Sequence, residues 1–145
     1  PHKSTPLHYY RGADLMTPNR DEAFALSKLD IDELRENPDS LVEVGQELLH
    51  KIGSKQMIIT RGKEGMSLFS GEEIIHFPTF ARQVFDVAGA GDTVIAALGL
   101  AWVANLSLKE ACVLANFAAG VVVGKVGCVP CSQQELRDYI HQLQN

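Results

Sequence analysis

The stretch Val84-Phe-Asp86-Val-Ala-Gly89-Ala90-Gly91-Asp92-Thr93 constrains this chain more than any other, because it runs from an extended segment through a glycine-rich turn into an apolar helix. Small residues let the backbone come close to an oxyanion, and the first free N–H groups, at the positive end of the helix dipole, favour negative charge there. The turn is thus a natural phosphate seat. Asp92, in the first helical turn beside it, is placed to take a proton from a hydroxyl attacking a terminal phosphate. The same residues also read as a plain tight turn, with Asp92 no more than a residue favoured by the dipole.

The segments around this turn point to an α/β fold. Ala13–Thr17 reads as a short strand stopped by Pro18, and a helix follows from Asn19 to Leu29 with Ala23, Leu26 and Leu29 near one face. The polar stretch from Asp30 to Ser40, with Asn37-Pro38 inside it, reads as a loop or a short helical turn. Leu41, Val44, Leu48, Leu49 and Ile52 then recur at helical spacing, and Gly53 stands where a C-terminal cap is preferred. Gln56–Thr60 reads as a buried strand, and Met66–Phe69 with Glu73–Phe77 as a hairpin. After Ala90 the pattern is helical over 91–104, 107–125 and 132–143, with Ser107 and Ser132 as N-caps. Strands that alternate with helices imply parallel β-α units.

Composition narrows the function classes. With 145 residues, 46% hydrophobic and 21% charged, the chain has the balance of one globular domain. A formal net charge of -5 argues against phosphate-backbone binding, so nucleic acid is not expected as a partner. The longest apolar run, Val94–Ala104, falls short of the roughly 18 to 20 residues that span a bilayer, so no membrane role is expected. The N-terminus lacks a basic segment followed by an apolar one, as a signal peptide would have. Three cysteines, Cys112, Cys128 and Cys131, form an odd count that fits a reducing cytoplasm. Cys128-Val-Pro-Cys131 is a lone C-x-x-C and is expected to be small buried loop residues rather than a metal or redox site.

Further segments carry both a structural and a chemical reading. Asn19 with Glu22 is nearly a capping box, which accounts for both residues without a ligand. Thr60-Arg61-Gly62-Lys63-Glu64-Gly65 is a turn at the end of a buried strand, and Leu114 to Gly127 is a small-residue helix running into a glycine turn.

Together, in this order, these segments resemble the ribokinase-like (PfkB) carbohydrate kinases. The signature Asp-Thr-x-Gly-Ala-Gly-Asp is met in register by Asp86, Gly89, Ala90, Gly91 and Asp92, with Ala96 and Ala97 in the helix beyond. Ala88 replaces a frequent Thr, and Gly99 stands where a larger apolar or small hydroxyl residue is usual. The resemblance implies the C-terminal, nucleotide-binding and catalytic half of one kinase domain over residues 1–145, within a Rossmann-type three-layer α/β/α fold. The N-terminal sugar-binding half and its β lid would be absent. It implies ATP as phosphoryl donor, Asp92 as catalytic base, and the N–H groups of Gly89, Ala90, Gly91 and Asp92 as the anion hole. Asn19 and Glu22 would hold Mg2+ through water. Thr60, Arg61, Gly62 and Gly65 would approach the ribose and phosphates, and Asn116 and Gly120 the adenine. Carbonyls of Asp86, Ala88, Val122, Lys125 and Gly127, with Cys131 where Ser is more usual, would form a monovalent cation site for K+.

Tyr10-Arg-Gly-Ala-Asp-Leu-Met-Thr-Pro-Asn19, the Gly65-Met66 turn and Ala118–Gly127 look most like bacterial heptose 7-phosphate kinases of lipopolysaccharide-core precursor synthesis. By that likeness the acceptor is the anomeric hydroxyl of D-glycero-β-D-manno-heptose 7-phosphate, with ribose, fructose or a nucleoside as alternatives. A sheet cut beside a central strand leaves an open edge, so a second copy or the missing half is the expected partner.

Overall fold

The computed structural model describes residues 1–29 and 40–144. The loop or turn expected over Asp30–Ser40 lies, apart from Ser40, outside the described residues. The chain forms two compact units: Pro1–Arg61 with Ser67–His76, and Gly62–Met66 with Phe77–Asn145.

The first unit is a β-α arrangement on a four-stranded sheet. β1 (Leu15–Met16) is followed by α1 (Arg20–Ser27), α2 (Ser40–Ile52) and β2 (Gln56–Thr60). β3 (Met66–Ser70) and β4 (Glu73–Phe77) complete the sheet in the order β1-β2-β3-β4. β1 and β2 are parallel, with Leu15 opposite Gln56 and Met16 opposite Met57, as the alternation of strand and helix required. The two-residue link Gly71-Glu72 is long enough only for an antiparallel hairpin.

Helix α1 forms where Asn19 caps it: Asn19 Oδ1 accepts from the Glu22 N–H, and Glu22 Oε2 accepts from the Asn19 N–H. It stops at Lys28, which takes a left-handed conformation. α2 ends at Gly53, whose φ of +68° is the conformation a glycine C-cap supplies. Apolar faces of the two helices meet one side of the sheet in a core of Phe24, Leu26, Val44, Leu48, Met57 and Phe69 among others. Ile58 and Leu68 are also buried although they alternate to the opposite face, so these strands are covered on both sides.

The second unit is helical. α3 (Ala90–Val103), α4 (Leu108–Val123) and α5 (Gln133–Gln144) follow one another, within two residues of the expected bounds. Val94, Leu98 and Ala101 form the buried stripe of α3. Ala111, Cys112, Ala115 and Ala118 are buried on α4, where small side chains let two helices approach closely. Ser107 and Ser132 cap α4 and α5 as expected, each with a glutamate three residues on that bonds back.

Candidate active site

In the first unit the fold brings two of the expected nucleotide elements together. Pro18 ends β1 and its carbonyl accepts from the Thr60 N–H at 3.0 Å, while Asn19 forms a parallel bridge with Thr60. The Asn19–Glu22 cap therefore sits beside the end of β2. One oxygen of each side chain is used by the capping box, at 2.8 and 2.9 Å, which leaves Glu22 Oε1 and the Asn19 amide group to act outward. That donor set suits a hydrated divalent cation held through water and is too small to bind one directly. No cluster of three or more His, Cys, Asp or Glu side chains with metal-binding geometry occurs among the described residues.

In the second unit the glycine-rich turn is built as its sequence required. Gly89 is the N-cap of α3 with φ +77° and no side-chain cap, whereas α1 and α4 each carry a capping box. Thr93 closes the first turn of α3 onto the Gly89 carbonyl through both its N–H, at 2.9 Å, and its hydroxyl, at 3.0 Å. The Ala90 N–H is turned onto the Val87 carbonyl at 3.2 Å. Of the four N–H groups expected to form an anion hole, Ala90's is thus committed, while those of Gly91 and Asp92 lead the helix without an intrahelical acceptor. Asp92 is exposed in this first turn.

Asp86 ties this turn to the one after α4. Its Oδ1 accepts from the Ala88 N–H at 2.9 Å, and its Oδ2 from the Gly127 N–H at 3.0 Å. These backbone donors hold the carboxyl below the usual carboxylate range, so it stays charged. The Val123 carbonyl accepts from both Phe85 and Asp86 N–H groups, and the Val122 carbonyl from Lys125. Asp86, Ala88, Val122, Lys125 and Gly127 are thereby gathered around two adjoining turns. Carboxylate and carbonyl oxygens are hard donors of the kind hard cations take, and here both Asp86 carboxylate oxygens and the Val122 carbonyl already accept from backbone N–H groups. Cys131 fits less well as a side-chain ligand, because burial and the neighbouring Glu135 raise its thiol pKa and keep it neutral.

The cysteines correct one expectation. Cys128 is exposed rather than buried, and its Sγ fills the space beside Gly89, 2.7 Å from where a Cβ would stand. Residue order alone gave no sign of this contact. Cys112 is the buried one, inside α4, and burial pushes its thiol up to about 12.

Gly62 is exposed at φ +57°, and Gly65 is buried at φ +92° against the backbone of Phe77–Thr79. Asn116 reaches the same segment: its Nδ2 donates to the Pro78 carbonyl at 2.7 Å, and the residue is 3% exposed. Gly120 lies under the Tyr139 ring, whose hydroxyl donates to the Phe80 carbonyl at 2.7 Å. A cavity of about 360 Å³ beside it is lined by Gln83, Gly120, Gly124, Lys125 and Gln142 among others. Arg61 is half-buried at the end of β2.

The parallel β-α unit and its covering helices make this an α/β protein, and its fold is ribokinase-like by likeness to solved structures. A family pattern for pfkB family carbohydrate kinases matches residues 1–135. The chain belongs to that family. It is 48% identical over 135 residues to the bifunctional protein HldE of Geobacter sulfurreducens, covering 92% of this chain and 27% of that protein. It is 46% identical over 130 residues to the protein of that name from Nitratiruptor, covering 90% and 27%. Among solved structures it is similar to Arabidopsis thaliana ribokinase complexed with ribose and ATP, with 28% identity, a TM-score of 0.81, and coverage of 93% of this chain and 43% of that one. Escherichia coli phosphofructokinase-2 in complex with potassium shares the fold, at a TM-score of 0.80 and 22% identity, over 94% of this chain and 43% of that one. The chain spans about a quarter of the curated relatives and less than half of the solved kinases.

Proposed function

We propose that this chain carries the phosphoryl-transfer machinery of an ATP-dependent sugar kinase. The observation that carries the reading is the Gly89-capped start of α3, with outward N–H groups at Gly91 and Asp92 and an exposed carboxylate in the same turn. The acceptor we favour is the anomeric hydroxyl of D-glycero-β-D-manno-heptose 7-phosphate. Its support is the likeness to heptose 7-phosphate kinases and the 48% identity to an HldE protein.

Asp92 takes the proton of the acceptor hydroxyl as its oxygen bonds to the γ-phosphorus of ATP, while the bond from that phosphorus to the β,γ-bridging oxygen breaks and ADP leaves. The N–H groups of Gly91 and Asp92 then stabilise the charge that develops on the transferring phosphoryl oxygens. Gly89 and Ala90 shape that turn. Asn19 and Glu22 would hold the water shell of Mg2+, which when bound would neutralise phosphate charge. Thr60, Arg61, Gly62 and Gly65 line the ribose and phosphates, and the helix bearing Asn116 and Gly120 backs the adenine. A bound K+ at the Asp86–Gly127 turns, with Ala88, Val122, Lys125 and Cys131 around it, would add positive charge near the seat.

The test is calorimetric titration with MgATP, followed by phosphorylation of heptose 7-phosphate by the chain joined to the rest of a kinase domain. Asp92→Asn is expected to lower turnover by about 10³-fold or more while leaving ATP affinity nearly unchanged. Retained turnover would overturn the role of Asp92. A second reading is favoured by the chain's covering only 43% of a solved ribokinase. Alone, it binds nucleotide without catalysing transfer, and MgATP binding with no product in any sugar assay would select that reading. Product with ribose, fructose or a nucleoside in place of the heptose would change the acceptor only.

A further inference from the structure

Residues 78–89 join β4 to the glycine-led start of α3 and contain no helix or strand. Val84 and Phe85 among them are 53% and 65% exposed, so burial does little to fix the path. An irregular segment of this kind is held where its backbone N–H and C=O groups find partners. At its start Asn116 Nδ2 donates to the Pro78 carbonyl, and toward its end the Phe85 N–H donates to the Val123 carbonyl at 2.8 Å.

Between these two points Tyr139 of α5 takes two backbone groups at once. Its hydroxyl donates to the Phe80 carbonyl at 2.7 Å and accepts from the Arg82 N–H at 3.2 Å, so both its hydrogen and a lone pair are used. The Phe80 ring stacks on Phe117 of α4, with centroids 4.5 Å apart, which anchors that side chain but leaves the direction of the backbone to Tyr139. Further along α5, the Gln142 carbonyl accepts from Arg82 Nη2. The same helix is tied to the other side of the turn, because Glu135 pairs with Lys125, two residues before the Gly127 N–H that Asp86 accepts. One helix therefore braces both segments that meet at Asp86. The position of the Tyr139 ring is set in turn by Gly120, where an added Cβ would stand 3.1 Å from the hydroxyl oxygen.

We propose that Tyr139 is a positioning residue for phosphoryl transfer: its hydroxyl sets the path of residues 80–86, and through them the placement of the Gly91 and Asp92 N–H groups and the Asp92 carboxylate. The consequence for transfer rests on the kinase reading; the brace itself rests on the hydrogen bonds.

Tyr139→Phe removes the hydroxyl and keeps the ring on Gly120. Amide exchange is followed by NMR on the chain, and turnover on the chain joined to the rest of a kinase domain. In the variant the Phe85 and Gly127 N–H groups are expected to exchange about tenfold faster or more. The Ala104 N–H, bonded to the Leu100 carbonyl at the far end of α3, keeps its rate. The kcat is expected to fall about tenfold or more while the KM for ATP stays within about threefold, since small displacements of reacting groups are costly in the transition state. Loss of packing alone would leave the kcat of the folded enzyme unchanged. Gly120→Ala presses on the hydroxyl without removing it and serves as a second variant should Tyr139→Phe misfold; its effect on kcat is expected to be smaller in the Tyr139→Phe background. Unchanged exchange at Phe85 and Gly127, or an unchanged kcat in an active enzyme, would overturn the proposal. Faster exchange at those two amides, in a chain whose parent phosphorylates no sugar, overturns the kinase reading and leaves Tyr139 as the brace of the turn.

Discussion

Gly65 shows how much a single residue of the turn after β2 is fixed by its surroundings. At φ +92° it occupies a conformation that side chains rarely take, and an added Cβ would run into the carbonyl of Phe77 and the backbone of Pro78 and Thr79. Those atoms cannot swing aside as a side chain would. Gly62, three residues earlier, has φ +57° and nothing within 4 Å of an added Cβ. Gly62→Ala is therefore expected to cost about 1 kcal/mol from the left-handed backbone alone, and Gly65→Ala about 3 kcal/mol or more from strain and clash together. Urea unfolding of the two variants measures the difference. Equal costs would mean that the Phe77–Thr79 contact is not what fixes Gly65. The sequence showed a strand-end turn with two glycines; which of them was replaceable depended on a segment twelve residues further on.

At the scale of elements, the helices differ in how they are capped, and the difference sets the start of α3 apart from those of α1, α4 and α5. α1, α4 and α5 satisfy their own first N–H groups with a polar cap and a returning glutamate, a pattern readable from spacing alone. α3 has only Gly89. The cap of α5 predicts a pH dependence. Glu135 accepts from the Lys125 ammonium and from Ser132 N–H and hydroxyl, and its carboxyl is lowered from 4.5 to about 2. A folded-state pKa below the unfolded one stabilises fully above the unfolded value and is lost as protons bind. The α5 cap is thus expected to hold at and above about pH 4.5 and to loosen from there down through about pH 2. Amide exchange at the start of α5 would report it, and Glu135→Gln should abolish the dependence in that window. An unchanged profile in the variant would remove Glu135 as its source.

At the scale of the molecule, burial is uneven. Leu48 is fully buried in the first unit's core, while Leu100 on α3 is 73% exposed. Leu48→Ala is expected to cost about 2–5 kcal/mol by leaving a cavity, and Leu100→Ala to stay within about 0.5 kcal/mol, both read from denaturant unfolding. A comparable loss for Leu100→Ala would show that α3 is already packed on that side. The same contrast shows that the well-formed core of the first unit coexists with a helix, α3, whose only charged residue is Asp92 and whose apolar side chains are partly exposed.

The sequence by itself determined the local elements and the family, because strand alternation, helical spacing, caps and the Gly-Ala-Gly-Asp turn are short-range properties carried by neighbouring residues. The glycine-led start of α3 was legible for the same reason. Tertiary structure alone decided which candidate site groups are spent on internal bonds: Ala90 N–H on Val87, Asn116 on Pro78, and Asp86 on Gly127 across forty-one residues. It also set Cys128 against Gly89 and left one side of α3 open. Those features depend on how distant segments meet, and composition and spacing do not record such meetings.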